Sequence, residues 1–277
     1  MSFLSIGITG ISGGGKSTIA RTISLVFDEI FGSEIGYIEH DDLYHDRSVV
    51  FELQGIKHDE NLDPGAKEAL KQVTWDRLDN LNYPGTIDAI VAAQRGSVEV
   101  PKYIKKTGIH EPREAPIQTR DGLVMEGLFL LSPGYSEFPL YNSKTQAKVS
   151  QKDMQEAINA QFDYRILICC EDRKVANQRR IDRDAHMQRS DELTERLIAQ
   201  ADEFYTNCVL QLQVDDPKYF QAEIDCVDTE SCIKGIYEFF KLVSQDRGEQ
   251  DERYKISNPK ALKSSIEKHY KAIVEEK

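Results

Sequence analysis

Apolar residues fall into short dense runs, separated by longer stretches in which they recur at helical intervals. Phe3–Thr9 is a run of strand length, and Thr18–Phe27 after it has helical spacing. Ile35–His40 reads as a second short strand that ends in a polar cluster, His40-Asp41-Asp42-Leu43-Tyr44-His45. From Asp46 to Leu81 the chain is polar and mixed, with one helical stretch at Ala66–Val73. Ile87–Gln94 predicts a helix ended by Gly96. Ser97–Tyr103 then alternates and leads into a basic, Pro-rich loop through Pro116. Gly122–Leu131 is a continuous apolar strand interrupted by one acid and one glycine, and Tyr164–Cys170 is another buried strand. Lys174–Asp184 and Asp191–Leu212 predict helices, Ala222–Val227 a last strand and Ile233–Val243 an amphipathic helix. Ser244–Glu252 reads as a linker, and Ala261–Val274 as a terminal helix or a partly disordered tail. Strands alternating with helices predict an α/β fold with a mostly parallel sheet. No internal repeat is visible.

The turn between the first strand and the first helix carries the clearest chemistry. Gly10-Ile11-Ser12-Gly13-Gly14-Gly15-Lys16-Ser17 fits G-x-x-x-x-G-K-[ST] at every fixed position, in a strand–turn–helix context. Glycines let the backbone curl so that several N–H groups point at one phosphate, and the helix N-terminus adds partial positive charge. The nucleotide-binding set is therefore Gly10, Gly13, Gly14, Gly15, Lys16, Ser17 and Thr18, with Lys16 able to reach the β- and γ-phosphates and the Ser17 hydroxyl able to bind Mg²⁺.

Composition narrows the class. The net charge of -12 argues against a general nucleic-acid binder, which needs a basic face. Cys169, Cys170, Cys208, Cys226 and Cys232 form no C-x-x-C pair and are odd in number, which suits core thiols in a reducing compartment. No apolar run approaches membrane-spanning length, and the N-terminus starts into a strand without a basic n-region. A cytoplasmic protein is expected, and a homo-oligomer is compatible with the sequence.

Phosphoryl transfer also needs a positioned nucleophile and charge on the transferring group. Asp41, at a strand end, can accept the proton of a substrate hydroxyl, or it can serve with Asp42 as a cap. Glu126 is an acid inside an apolar strand, costly to bury unless paired or bound to a cation, so it is a water-mediated Mg²⁺ ligand or one half of a salt bridge. Arg179 and Arg183, spaced i, i+4 on one helix, share a face that suits a γ-phosphate or simply faces solvent.

Taken in order, these motifs resemble the uridine kinase, phosphoribulokinase and nicotinamide riboside kinase superfamily of P-loop kinases. Its D-x-F-Y is matched by Asp41-Asp42-Leu43-Tyr44, its N-F-D-x-P-x-A-x-D by Asn80–Asp88, and its G-x-x-V-x-V-P-x-Y by Gly96–Tyr103. Its strand-end E-G is Glu126-Gly127, and its R-R-I-x-R-D lid signature is Arg179–Asp184. His110 and Arg113 stand near a substrate-contacting His and Arg, with shifted spacing. The resemblance implies a P-loop fold over residues 1–245, with a substrate-binding insertion at about 45–120, an arginine-bearing lid at about 173–200 and a charged tail or helix at 246–277. It further implies an ATP- and Mg²⁺-dependent kinase acting on a nucleoside or related ribosyl compound. Asp41, Lys16, Arg179 and Arg183 would be catalytic, Ser17 and Glu126 would manage the metal, and Tyr44, Asn82, Tyr103, His110 and Arg113 would face the substrate.

The sequence departs from the pattern in places. Asn82 replaces the acid of N-F-D, while Asn61-Leu62-Asp63-Pro64 offers a competing match that keeps it. The stretch from His45 to Asn80 is longer than usual, and no R-G-R follows the lid, Arg189 being the nearest basic residue. A phosphosugar such as ribulose phosphate, nicotinamide riboside or pantothenate is the alternative acceptor. From another class, a non-catalytic nucleotide switch is the rival, although the chain has no N-K-x-D guanine motif.

Overall fold

The computed structural model describes residues 3–55, 80–105, 108–132, 140–141, 148–149, 151–186 and 191–276. Ala66–Val73, Asp63 and Arg189 lie outside the described residues. The first strand, β1 (Leu4–Gly10), is buried along its whole length and pairs in parallel with Tyr164–Cys169 on one side and Gly122–Glu126 on the other. Ala222–Asp225 and β2 (Ile35–Glu39) complete a five-stranded sheet at its two edges, all of it parallel. Strands buried on both faces explain the near-continuous apolar runs of the sequence.

The pleat sorts each strand between two cores. Val124 joins Leu4, Ile6, Ile8 and Ile166 beneath the helix α1 (Lys16–Phe31), whereas Leu123 and Met125 join Ile38, Tyr83, Ile90 and Phe129 on the other face. Glu126 therefore has the parity of Val124 and belongs to the α1 face. Along α1, Ile19, Ile23, Val26 and Phe27 are fully buried, each worth roughly 1.5–3 kcal/mol of apolar burial.

Several expected boundaries move. The Gly122–Leu131 run stops being strand at Glu126. There Gly127 passes so close to His40 that a Cβ would lie 2.5 Å from the His40 Cβ, and its N–H turns to the Ile8 carbonyl at 3.0 Å. The helix expected over Asp191–Leu212 is interrupted by a π-helical turn at Tyr205–Val209. Ser244–Glu252, expected as a linker, is not one: the helix Thr229–Arg247 runs through its start, and Tyr254 just beyond is buried against Phe27 and Phe31. Of the two readings of the C-terminus, the helix is observed, Pro259–Glu275, started by an Asn258 side-chain cap. It packs Leu262, Ile266 and Tyr270 into the α1 core, and Glu29 of α1 receives bonds from Ser265, Lys268 and His269 at 2.6–2.8 Å. Among the described residues no helix is long and apolar enough to cross a membrane.

Candidate active site

The carboxyl ends of the parallel strands converge where β1 delivers the glycine loop, Gly122–Glu126 delivers its terminal acid and β2 delivers a 3₁₀ turn at His40–Leu43. The loop is tightly seated. Gly13 adopts φ +76°, and a Cβ there would sit 2.2 Å from the Ala176 carbonyl oxygen, so only glycine fits. Lys16 Nζ donates to the carbonyls of Gly10 and Ile11 at 3.2 and 3.0 Å. Burial holds its ammonium below the usual lysine range, with Glu126 and then Asp41 acting in the opposite direction.

Ser17 Oγ donates to Glu126 Oε1 at 2.7 Å, and the Tyr37 hydroxyl donates to the same oxygen at 3.3 Å. Burial pushes the Glu126 carboxyl up, against the pull of Lys16. A hydroxyl and a carboxylate oxygen meeting at the start of α1 form the hard-oxygen donor set that suits Mg²⁺, which takes few protein ligands and leaves the rest to water and phosphate. The residues present therefore fit that ion.

One pocket of about 130 Å³ gathers Ser12, Lys16, Ser17, Asp41, Tyr44, Tyr103, Lys105, Glu126, Leu128 and Arg183. The structure thus brings Asp41, Lys16, Ser17, Glu126, Arg183, Tyr44 and Tyr103 together. Burial raises the Asp41 carboxyl, but Lys105 and then Lys16 outweigh it and hold the group below its ordinary value.

The helix Arg173–His186, expected as part of a lid, differs in detail from the expected pairing of Arg179 with Arg183. Arg179 turns away and donates to the carbonyls of Cys226 at 2.7 Å and Val227 at 3.2 Å. Arg180 reaches the loop instead, donating to Ser12 Oγ at 2.7 Å from a side chain only 4% exposed. Arg180 points this way because it shares the helix's buried side with Ala176 one turn earlier, and Arg183, three residues further on, lines the pocket beside the loop.

The predicted substrate residues all have structural partners. Asn82 caps the helix Tyr83–Ala93, its side chain accepting from the Gly85 N–H at 3.0 Å, a role an amide serves as well as an acid. Arg113 pairs with the buried Asp42 and donates to the Val100 carbonyl at 2.9 Å. His110 bonds Asp46 at 2.6 Å and the Asp42 carbonyl at 3.1 Å. Asp42 also accepts from the Tyr103 N–H at 2.9 Å, and so ties the hairpin of Lys102–Ile104 and Ile109–Glu111 to the end of β2. Tyr44 and Tyr103 stack at 5.7 Å between centroids. Tyr44, Asn82 and His110 also line a larger neighbouring cleft of about 780 Å³.

Sequence reasoning missed Lys105, Arg180 and Tyr37. Lys105 stood unmarked in a basic loop, and Tyr37 looked like any strand aromatic. Only Arg180 carried a usable signal, since it lies four residues after Ala176 on the apolar side of the helix.

Comparison with known proteins agrees with this fold. Over 127 residues the chain is 33% identical to a uridine kinase of Clostridium botulinum (strain Langeland), covering 46% of this chain and 53% of that one. A uridine kinase of strain Kyoto is 34% identical over the same length. The chain spans about half the length of the curated relatives it matches. Among solved structures, the YGR205w protein superposes with a TM-score of 0.55 at 17% identity, covering 81% of this chain and 86% of that one. D-glycerate 3-kinase from Cryptococcus neoformans gives 0.50 at 13% identity, covering 72% and 76%. These similarities show a shared fold. A family model spans residues 5–209, most of the sheet and the whole site just described, and by that match the chain belongs to the Phosphoribulokinase / Uridine kinase family.

Proposed function

We propose that the protein is an ATP- and Mg²⁺-dependent kinase that transfers the γ-phosphoryl group of ATP to a hydroxyl of a small molecule, a nucleoside or related ribosyl compound before others. The observation that carries this reading is the meeting of Asp41 with Lys16, Ser17, Glu126 and Arg183 around one pocket. A glycine loop alone suffices to bind a nucleotide. A carboxylate brought to its phosphate end is what transfer to a hydroxyl requires in addition.

In this reading the loop amides and Lys16 bind the β- and γ-phosphates, and Ser17 and Glu126 hold Mg²⁺. Held there, Mg²⁺ would offset the negative charge that develops on the phosphates during transfer. Asp41 orients the acceptor hydroxyl and takes its proton. Arg183 closes over the transferring group, while Arg180 braces the loop through Ser12 and Arg179 anchors the lid helix to the end of the last strand. Closure excludes water, which would otherwise compete as acceptor.

The larger cleft shares Tyr44 with the phosphate pocket and is the acceptor site in this reading. Asp46, Asp88, Glu99, His45 and His110 line it, and no lysine or arginine does among the described residues. Carboxylates there accept hydrogen bonds from hydroxyls and repel a second phosphate, which favours an uncharged nucleoside over a phosphosugar. The same acidic lining makes nicotinamide riboside, a cation, the second reading. The relatives named uridine kinase support the first.

An ATP-consumption screen with Mg²⁺ over nucleosides, nicotinamide riboside, pantothenate and sugar phosphates tests the proposal. The expected result is stimulation by a nucleoside that Asp41→Asn abolishes. Tight ATP binding with no stimulation by any acceptor would overturn it in favour of a nucleotide switch.

A further inference from the structure

The hairpin beside the site carries a cation that the reading above leaves without a role. Lys105 follows the strand Lys102–Ile104, and its Nζ lies 2.6 Å from Asp41 Oδ2. The side chains are 42% and 34% exposed, and a pair so exposed contributes little to folding. Lys105 nevertheless lines the phosphate pocket with Lys16 and Arg183. Lys16 rests on the loop carbonyls, whereas Lys105 is in salt-bridge contact with Asp41. Asp42, through Tyr103 N–H and Arg113, fixes the hairpin that delivers it.

We propose that Lys105 is a positioning residue for phosphoryl transfer, one that holds the Asp41 carboxylate in place to receive the acceptor's proton. This rests on the kinase reading above. One carboxylate oxygen is held by the ammonium, and the other is left to accept the hydroxyl. In the step itself the acceptor oxygen bonds to the γ-phosphorus, the bond from that phosphorus to the bridging oxygen of ADP breaks, and the hydroxyl proton passes to Asp41. Lys105 keeps its proton throughout. Because transfer is loose and the base mainly orients the nucleophile, a carboxylate free to swing loses rate even though it becomes more basic.

The test compares Lys105→Met, Lys105→Arg and Lys102→Met with the wild type. Lys102 is an exposed lysine on the same strand, outside the pocket. In Lys105→Met the acid limb of kcat/KM for the acceptor is expected to move up by about one pH unit, and kcat to fall roughly 10- to 100-fold, with little change in KM for ATP. Lys105→Arg is expected to restore the limb, and Lys102→Met to leave it in place. Infrared titration of the Asp41 carboxyl, read as wild type minus Asp41→Asn, should show the same upward shift in Lys105→Met without any turnover. An unmoved carboxyl and an unmoved acid limb in folded Lys105→Met would overturn the proposal. A shifted carboxyl in a protein that turns over no acceptor would leave the pairing standing and sink the kinase reading instead.

Discussion

In the proposed reading, the nucleotide end and the acceptor end of the site are built in different ways. The nucleotide end is a contiguous stretch, Gly10–Thr18, whose backbone makes the cradle and whose neighbours in sequence are its neighbours in space. The acceptor end, in the proposed reading, is assembled from Asp41, Tyr44, Asn82, Tyr103, Lys105 and His110, which lie far apart in sequence, and Asp42 ties Tyr103, His110 and Arg113 together. A backbone cradle tolerates little variation, because a single Cβ at Gly13 would collide with Ala176. A cluster of side chains can be re-tuned one residue at a time. That difference makes the acceptor the harder half to read.

The contrast can be broken most severely at the loop. Lys16→Met should lower acceptor-dependent ATP consumption about 10²- to 10³-fold, the size expected for one aimed donor, and leave the melting temperature nearly unchanged. Comparable losses from Asn82 or His110 variants would erase the distinction between the two ends.

Between the two ends lies His40, buried and bonded to Thr86 Oγ1 at 3.1 Å. Burial lowers its pKa from 6.5 to about 4, against the weaker opposing effect of Asp41. The unfolded chain therefore takes up this proton near pH 6.5, while the folded chain resists until about pH 4. Stability from this group is complete above that window, falls as pH drops through it, and is lost by about 3 kcal/mol at its lower end. Denaturant titrations of wild type and His40→Gln from neutral to acid pH should diverge by that slope. Parallel curves would show that His40 is not the group responsible.

At the acceptor end, Asp42→Asn removes the hub of the hairpin and leaves Arg113 without its carboxylate. A loss of about 2 kcal/mol is expected by chemical denaturation, because Asp42 is buried while Arg113 is partly exposed. The acceptor KM should rise with it while ATP binding holds. A weakened ATP affinity would mean that the two ends are not separable.

Smallest is Asn82→Ala, expected to cost about 1 kcal/mol of stability as a lost helix cap. Asn82→Asp should restore the cap. If Asn82→Ala instead abolished turnover at unchanged stability, Asn82 would be a substrate ligand after all.

What the sequence determined by itself was whatever depends on near neighbours. Apolar runs and helical spacing gave the parallel α/β sheet, and eight consecutive residues specified the phosphate cradle, because a strand–turn–helix with those glycines has one way to fold. Asp41 and Glu126 stood out because an acid at the end of a buried strand has few reasons to be there. Tertiary structure alone decided the rest. It set which arginine faces the loop, because helix phase relative to a neighbouring element is absent from local spacing. It gave His110 and Arg113 their partners Asp46 and Asp42, because hydrogen bonds between residues tens of positions apart leave no mark in either stretch, whereas the Asn82 cap on Gly85 is local. It also brought Lys105 to Asp41, and it docked the C-terminal helix against α1, burying an apolar face that in the sequence could equally have belonged to a free tail.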